Sequence, residues 1–182
     1  MINHIVMWKM SKKIDQRVAI VTGGSGGLGK AVALRLAGEG TAVVVHYNRN
    51  EKKAEEIVER IRQSGGKAIA ASADLTQFAQ AESLVEQTVQ QFGGLDILAV
   101  CSGGHDIPDE MRSLPRSERY RIWNRLVEFN MSGPMFCAYA AFPYMAKQGY
   151  GRIVFSASVA KNGLMVALDF LDEIHRCGYA AS

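Results

Sequence analysis

The sequence predicts an α/β domain built on a doubly wound parallel sheet. Short β-branched runs alternate with longer stretches of helical spacing, and glycines stand at nearly every junction between them. No internal repeat or low-complexity linker competes with that rhythm. At 182 residues the chain has single-domain length, with an N-terminal extension over 1–10 and one domain over 11–182.

The elements follow in order. Arg17–Thr22 (RVAIVT) is an apolar run ended by glycines, which reads as a buried strand. Leu28 to Glu39 has helical spacing, with Leu28, Val32 and Leu36 marking its apolar side and Gly38 and Gly40 ending it. Thr41–Tyr47 is a second β-branched strand, and Asn50 is the N-cap of a charged helix over Glu51–Ser64. Lys67–Ala73, Gln77–Phe92 and Leu95–Cys101 repeat the strand, helix, strand pattern. A more polar stretch then leads to a long helix over Leu126–Gln148, which Pro134 and Pro143 are expected to bend. Arg152–Ser156 (RIVFS) is the fifth strand.

Composition excludes several classes. Lys and Arg exceed Asp and Glu by 21 − 18 = 3, too small a surplus to argue for a nucleic-acid partner. The basic group Arg112, Arg116, Arg119, Arg121 and Arg125 reads as a solvated helix face in preference to a patch for an acidic substrate carrier. Cys101, Cys137 and Cys177 are odd in number, widely spaced and without CxxC, as in reduced thiols of a cytoplasmic protein. The opening MINHIVMWKM lacks the features of a signal peptide, and Met10 is a second plausible start. The most apolar window, Leu126 to Ala146, carries Glu128, Asn130 and two prolines, which argues against a membrane partner.

Between the first strand and first helix lies Thr22-Gly-Gly-Ser-Gly-Gly-Leu-Gly29. It fits GxGxxG through Gly24, Gly26 and Gly29, and TGxxxGxG through Thr22, Gly23, Gly27 and Gly29. In either register a turn without Cβ atoms admits a pyrophosphate to the backbone at a helix N-terminus. That context makes the domain a dinucleotide-binding, Rossmann-like one. The end of the second strand, His46-Tyr47-Asn48-Arg49-Asn50, has no carboxylate for ribose hydroxyls. Arg49 suits a 2′-phosphate instead, so NADP(H) is preferred and NAD(H) is the alternative cofactor.

With those residues the chain resembles the short-chain dehydrogenase/reductase family in its single-domain branch, and among its members the β-ketoacyl-acyl-carrier-protein reductases. The likeness runs from about Val18 to the last residue. It rests on Thr22–Gly29, Ala73-Asp74-Leu75, Leu95-Asp96-Ile97-Leu98, Asn130 before Ser132-Gly133, and Gly151-Arg152-Ile153-Val154. The resemblance implies cofactor contacts from Thr22, Gly23, Ser25, Gly27, Leu28, Gly29, Asn48, Arg49, Asp74, Leu75, Ser102 and Gly103. It implies a strand order of 3-2-1-4-5 and a homo-oligomer at full length. The substrate it implies is a small carbonyl or secondary alcohol, exchanged with nicotinamide by hydride transfer. An extended-branch epimerase is disfavoured by the spacing of the glycine loop.

The family's YxxxK motif implies roles for Tyr179, Ser158 and Asn130. Tyr179 would exchange a proton with the substrate oxygen, and Ser158 would hydrogen-bond that oxygen, with Ser156 its competitor. Asn130 would hold a water that links the lysine to solvent. A free phenol has a pKa of about 10, and a lysine four residues on would favour the phenolate. The sequence gives Tyr179-Ala180-Ala181-Ser182, one residue short of that lysine. The expectation is therefore an inactive chain whose C-terminal strands are missing; the alternative is a non-catalytic dinucleotide-binding or interaction module.

Three features depart from the family pattern. Val100-Cys101-Ser102-Gly103 replaces NNAG, with loss of the asparagine bonds that stitch the central sheet. Ser158 and Tyr179 stand 179 − 158 = 21 positions apart, more than is usual. The third is the absent C-terminal part, without which Arg152–Ser156 is an apolar sheet edge and the segment from Asn162 onward lacks packing partners. Within that segment Asp169, Asp172, Glu173 and His175 fit the exposed side of a helical turn better than a metal site.

Overall fold

The computed structural model describes residues 13–104 and 113–157. After a 3-10 turn at Ile14–Gln16 it runs β1 (Val18–Thr22), α1 (Gly27–Gly38), β2 (Ala42–Tyr47), α2 (Glu51–Gln63), β3 (Ala68–Ser72), α3 (Phe78–Phe92) and β4 (Ile97–Val100). Then come α4 (Arg116–Val127), a π-helical segment (Glu128–Ser132), α5 (Gly133–Gln148) and β5 (Arg152–Phe155). The strands form one sheet in the order β3-β2-β1-β4-β5, with every neighbouring pair parallel. Fold class and strand order are those expected from the sequence.

Alternation along the strands builds a core on each face of the sheet. Ile20, Val44 and Leu98 pack with Leu84 and Val85 of α3 and with Cys137 and Ala141 of α5. On the other face Val21, Val43 and Val45 meet Ala33 and Ala37 of α1 and Ile57, Val58 and Ile61 of α2. At the N-terminal end of the sheet, the buried Asp96 carboxylate accepts the Val18 N–H at 3.0 Å and so ties β4 to β1. Asp96 of the LDIL run thus has a structural use, since the Val18 N–H at the start of β1 would otherwise lose its partner.

Two helices differ from the sequence reading. The buried side of α1 is Gly29, Ala33 and Ala37, whereas Val32 and Leu36 are half-buried and Leu28 is exposed. Small residues let the helix axis come close to the sheet, and Val32, Leu34 and Leu36 pack against the same core from its margin. The second difference is the start of the long helical run, which begins at Arg116 and not at Leu126. Pro115 sits extended at its N-cap and Glu118 stands in its first turn, where a negative charge is favoured. Pro134 lies in the first turn of α5, directly after the π-helical segment, and Pro143 lies within α5 without ending it.

Among the described residues β5 lies at the edge of the sheet, with Val154 and Phe155 exposed. Among the described residues no helix is long and apolar enough to cross a membrane.

Candidate functional site

The connection after β1 crosses to one side of the sheet and that after β4 to the other, so a crevice opens between their C-terminal ends. Here it is a cleft of about 860 Å³, bordered by the loop after β1, the ends of β2 and β3, the turn after β4, and a wall from α4 and the π-helical segment.

The glycine loop shapes the floor. Gly23 has φ +62°, and a Cβ there would lie 2.9 Å from the Ser102 backbone. A Cβ on Gly29 would collide with the Gly23 carbonyl, so helix and loop close together only without a side chain. Gly26 caps α1, whose first intrahelical bond is Lys30 N–H to the Gly26 carbonyl. The N–H groups of Gly27, Leu28 and Gly29 precede that bond, and these residues line the cleft. Such a cradle of unpaired donors at a helix N-terminus fits a pyrophosphate.

Thr22 does not reach the cleft. It is fully buried, and its hydroxyl oxygen accepts the N–H groups of Cys101 and Ser102, each at 3.1 Å. With both lone pairs taken, its own proton goes to Ser102 Oγ at 2.8 Å, and Ser102 keeps its O–H for another partner. The β1–β4 joint is therefore stitched from the Thr22 side, which makes good the absent asparagine of the turn. Beyond it, Asn130 is buried and clamps Gly104 from both sides. Its Oδ1 accepts the Gly104 N–H at 2.8 Å, and its Nδ2 donates to the Gly104 carbonyl at 2.9 Å and to the Leu126 carbonyl at 3.0 Å. The Asn130 amide is thereby committed to holding the turn after β4.

The remaining expected cofactor positions, Ser25, Asn48, Arg49, Asp74, Leu75, Ser102 and Gly103, all line the same cleft. Asp74 Oδ1 accepts from Thr76 N–H at 3.1 Å and Thr76 O–H at 2.8 Å, which fixes the carboxylate at the rim. Of the three residues expected to serve catalysis, only Asn130 is among the described residues; Ser158 and Tyr179 lie outside them. So do Asp169, Asp172, Glu173 and His175, and the described residues contain no group of side chains that could hold a metal ion.

Two contributors were not legible as site residues. Arg125 of α4 lines the cleft as a second cation besides Arg49, and the sequence marked it only as a surface charge. His46 is the other: its Nδ1 accepts the Gly23 N–H at 3.1 Å and its Nε2 faces the Ala73 carbonyl at 3.0 Å. Burial holds its pKa below the usual imidazole value, partly offset by the Ala73 carbonyl. Cys101 is a half-buried thiol in the cleft whose pKa burial pushes up, away from nucleophilic use.

The class this fold and cleft define is a doubly wound α/β domain with a nucleotide crevice. A profile described as short chain dehydrogenase matches residues 17–169. An uncharacterized oxidoreductase of Methylorubrum extorquens is 40% identical over 155 residues, which cover 84% of this chain and 59% of that protein. The hydroxynaphthalene reductase-like protein Arp2 of Metarhizium majus is 36% identical over 151 residues, covering 83% and 54% respectively. The crystal structure of hydroxysteroid dehydrogenase from Escherichia coli superposes with a TM-score of 0.67 at 30% identity, covering 79% of this chain and 55% of that one. The chain belongs to the short-chain dehydrogenase/reductase family, a family of oxidoreductases whose members generally bind NAD(P). It spans little more than half the length of these relatives.

Proposed function

We propose that the chain forms the nucleotide-binding part of an NADP(H)-preferring oxidoreductase acting on a small carbonyl or secondary alcohol. The observation that carries the reading is the convergence of the glycine loop, Arg49 and Asp74-Leu75 on one cleft. In this proposal the first turn of α1 receives the pyrophosphate, and Arg49 pairs with the 2′-phosphate through its planar fork. Arg125, on α4, adds positive potential to the same cleft. Asp74 and Leu75 border the adenine, and Gly103, fixed through Gly104 and Asn130, borders the nicotinamide end. When bound, the nicotinamide supplies the hydride.

Tyr179 is proposed to exchange the proton at the substrate oxygen and Ser158 to hydrogen-bond it. Asn130, whose amide holds the turn after β4, is proposed to hold a bound water. Exposed Met131, Met135, Tyr139 and Phe142 follow one another at helical spacing from the π-helical segment into α5. We assign that stripe to contact between subunits of a homo-oligomer. The half-buried Cys101 and buried Cys137, both free thiols, agree with a cytoplasmic setting.

Calorimetric titration with NADPH and NADH tests the reading, alongside Arg49→Asp. Saturable NADPH binding that moves toward NADH in the variant supports it. Binding of neither cofactor overturns it. An equal response of both cofactors to Arg49→Asp overturns the phosphate assignment alone.

A further inference from the structure

His46 is unusual among the groups around the cleft, because it is a titratable side chain that is only 2% exposed and bonded at both ring nitrogens. It sits on β2 on the same face of the sheet as Val44, two residues earlier. The partners of its ring belong to two different walls of the cleft. Gly23 begins the glycine loop, and Ala73 immediately precedes Asp74 at the rim. The His46 carbonyl also accepts the Gly24 N–H at 2.8 Å, so one residue fixes two successive amides of the loop.

The donor pattern dictates the tautomer. Gly23 N–H can only donate, so Nδ1 must carry a lone pair. The Ala73 carbonyl can only accept, so Nε2 must carry the proton. The neutral Nε2–H imidazole alone satisfies both. A proton added at Nδ1 would point at the Gly23 N–H and turn an attraction into a donor–donor repulsion.

We infer that His46 is a positioning residue which couples the glycine loop to the β3 wall in its neutral form alone, so that dinucleotide affinity falls on acidification. The inference rests on the nucleotide reading of the cleft. Among the described residues, the titratable and charged groups that line the cleft with His46 are Arg49 beyond β2, Asp74 beyond β3, Cys101 beyond β4, Arg125 of α4 and Glu128 of the π-helical segment. The glycine loop brings none, and α3 and α5 present only Thr88 and Cys137 as buried polar or titratable side chains on that face. None of these hydrogen-bonds the imidazole. Among the described residues no carboxylate bonds the ring, and burial sets its pKa below the ordinary imidazole value.

The test compares the 182-residue chain with His46→Asn, whose Oδ1 can still accept from Gly23 but does not titrate. NADP⁺ affinity is measured by calorimetry from pH 7.5 to 5.0, since the 2′-phosphate protonates in both proteins and cancels in the comparison. The wild-type chain is expected to lose about tenfold more affinity than the variant across that range. Parallel profiles overturn the inference. In the protein without nucleotide, ¹⁵N shifts of the His46 ring should report Nε2–H at pH 7, and the Gly23 amide resonance should move as the ring titrates. An Nδ1–H tautomer, or a Gly23 amide that stays still, overturns the coupling. If neither protein binds NADP⁺ while the Gly23 amide follows the ring, the nucleotide reading falls and the affinity claim with it, and only the loop coupling stands.

Discussion

β1 and β5 are near twins in sequence and opposites in surroundings. Arg17 leads VAIVT and Arg152 leads IVF, and the two guanidinium groups stack on the same Tyr150 ring, 4.3 and 4.9 Å from its centroid. Yet every residue of β1 is buried, whereas Val154 is 58% and Phe155 45% exposed. β1 has β2 on one side and β4 on the other, with helices over both faces. β5 pairs only with β4 among the described residues. A β-branched run encodes the capacity for burial; the neighbours decide whether it is realised.

Substitutions can sharpen that contrast. The largest effect is expected at Leu98→Ala, in the fully buried layer beside β1, with a loss of about 2–5 kcal/mol in urea unfolding. Val154→Ala should change stability by about 0.5 kcal/mol or less in the same experiment. Comparable losses at both sites would mean that β5 is covered in solution and erase the contrast. Next comes Asn130→Ala, which strips three bonds from the turn after β4 and should cost about 1–3 kcal/mol. Its companion readout is NADP⁺ affinity, expected to fall, because Gly103 loses its anchored neighbour.

The buried imidazole gives a smaller, pH-dependent term. The folded pKa of His46 lies below the unfolded value of about 6.5, so between the two the unfolded chain binds more protons. Its contribution is therefore complete above about pH 6.5 and is lost as pH falls toward the folded pKa, with a slope of at most about 1.4 kcal/mol per pH unit. Unfolding curves of the wild type and His46→Asn should diverge only in that window. A divergence that grows above pH 7 would contradict the assignment. The smallest effect on stability is expected for Val154→Lys, within about 0.5 kcal/mol, with reduced self-association by light scattering.

Much of this was legible because it is local. The glycine loop, the strand before it and the helix after it are contiguous, and so is the missing carboxylate at the end of β2. What escaped depends on distant partners. His46 looks like any polar residue at a strand end until Gly23 and Ala73, 23 and 27 positions away, are brought to its ring. Thr22 belongs to the glycine motif in sequence, yet its hydroxyl serves a turn 79 and 80 residues on. The fully buried stripe of α1 is hard to see in the sequence because large residues mark burial by hydrophobicity, whereas close packing on a sheet selects small ones. The helix start at Arg116 was hidden by a run of arginines that has helical propensity but little apolar periodicity.

The carboxylate of Asp96 also has a place in time. β1 pairs with β2 and β2 with β3 across short stretches of chain, but Asp96 meets Val18 over a separation of 78 residues. On the ribosome, at about 5–20 residues per second, the first three strands can associate seconds before β4 emerges. The nascent chain thus carries its most hydrophobic strand with one flank unpaired, and the arrival of residue 96 closes that flank. Synthesis speed over the α3–β4 stretch, more than the affinity of any single contact, sets how long the growing protein remains open to the wrong neighbour.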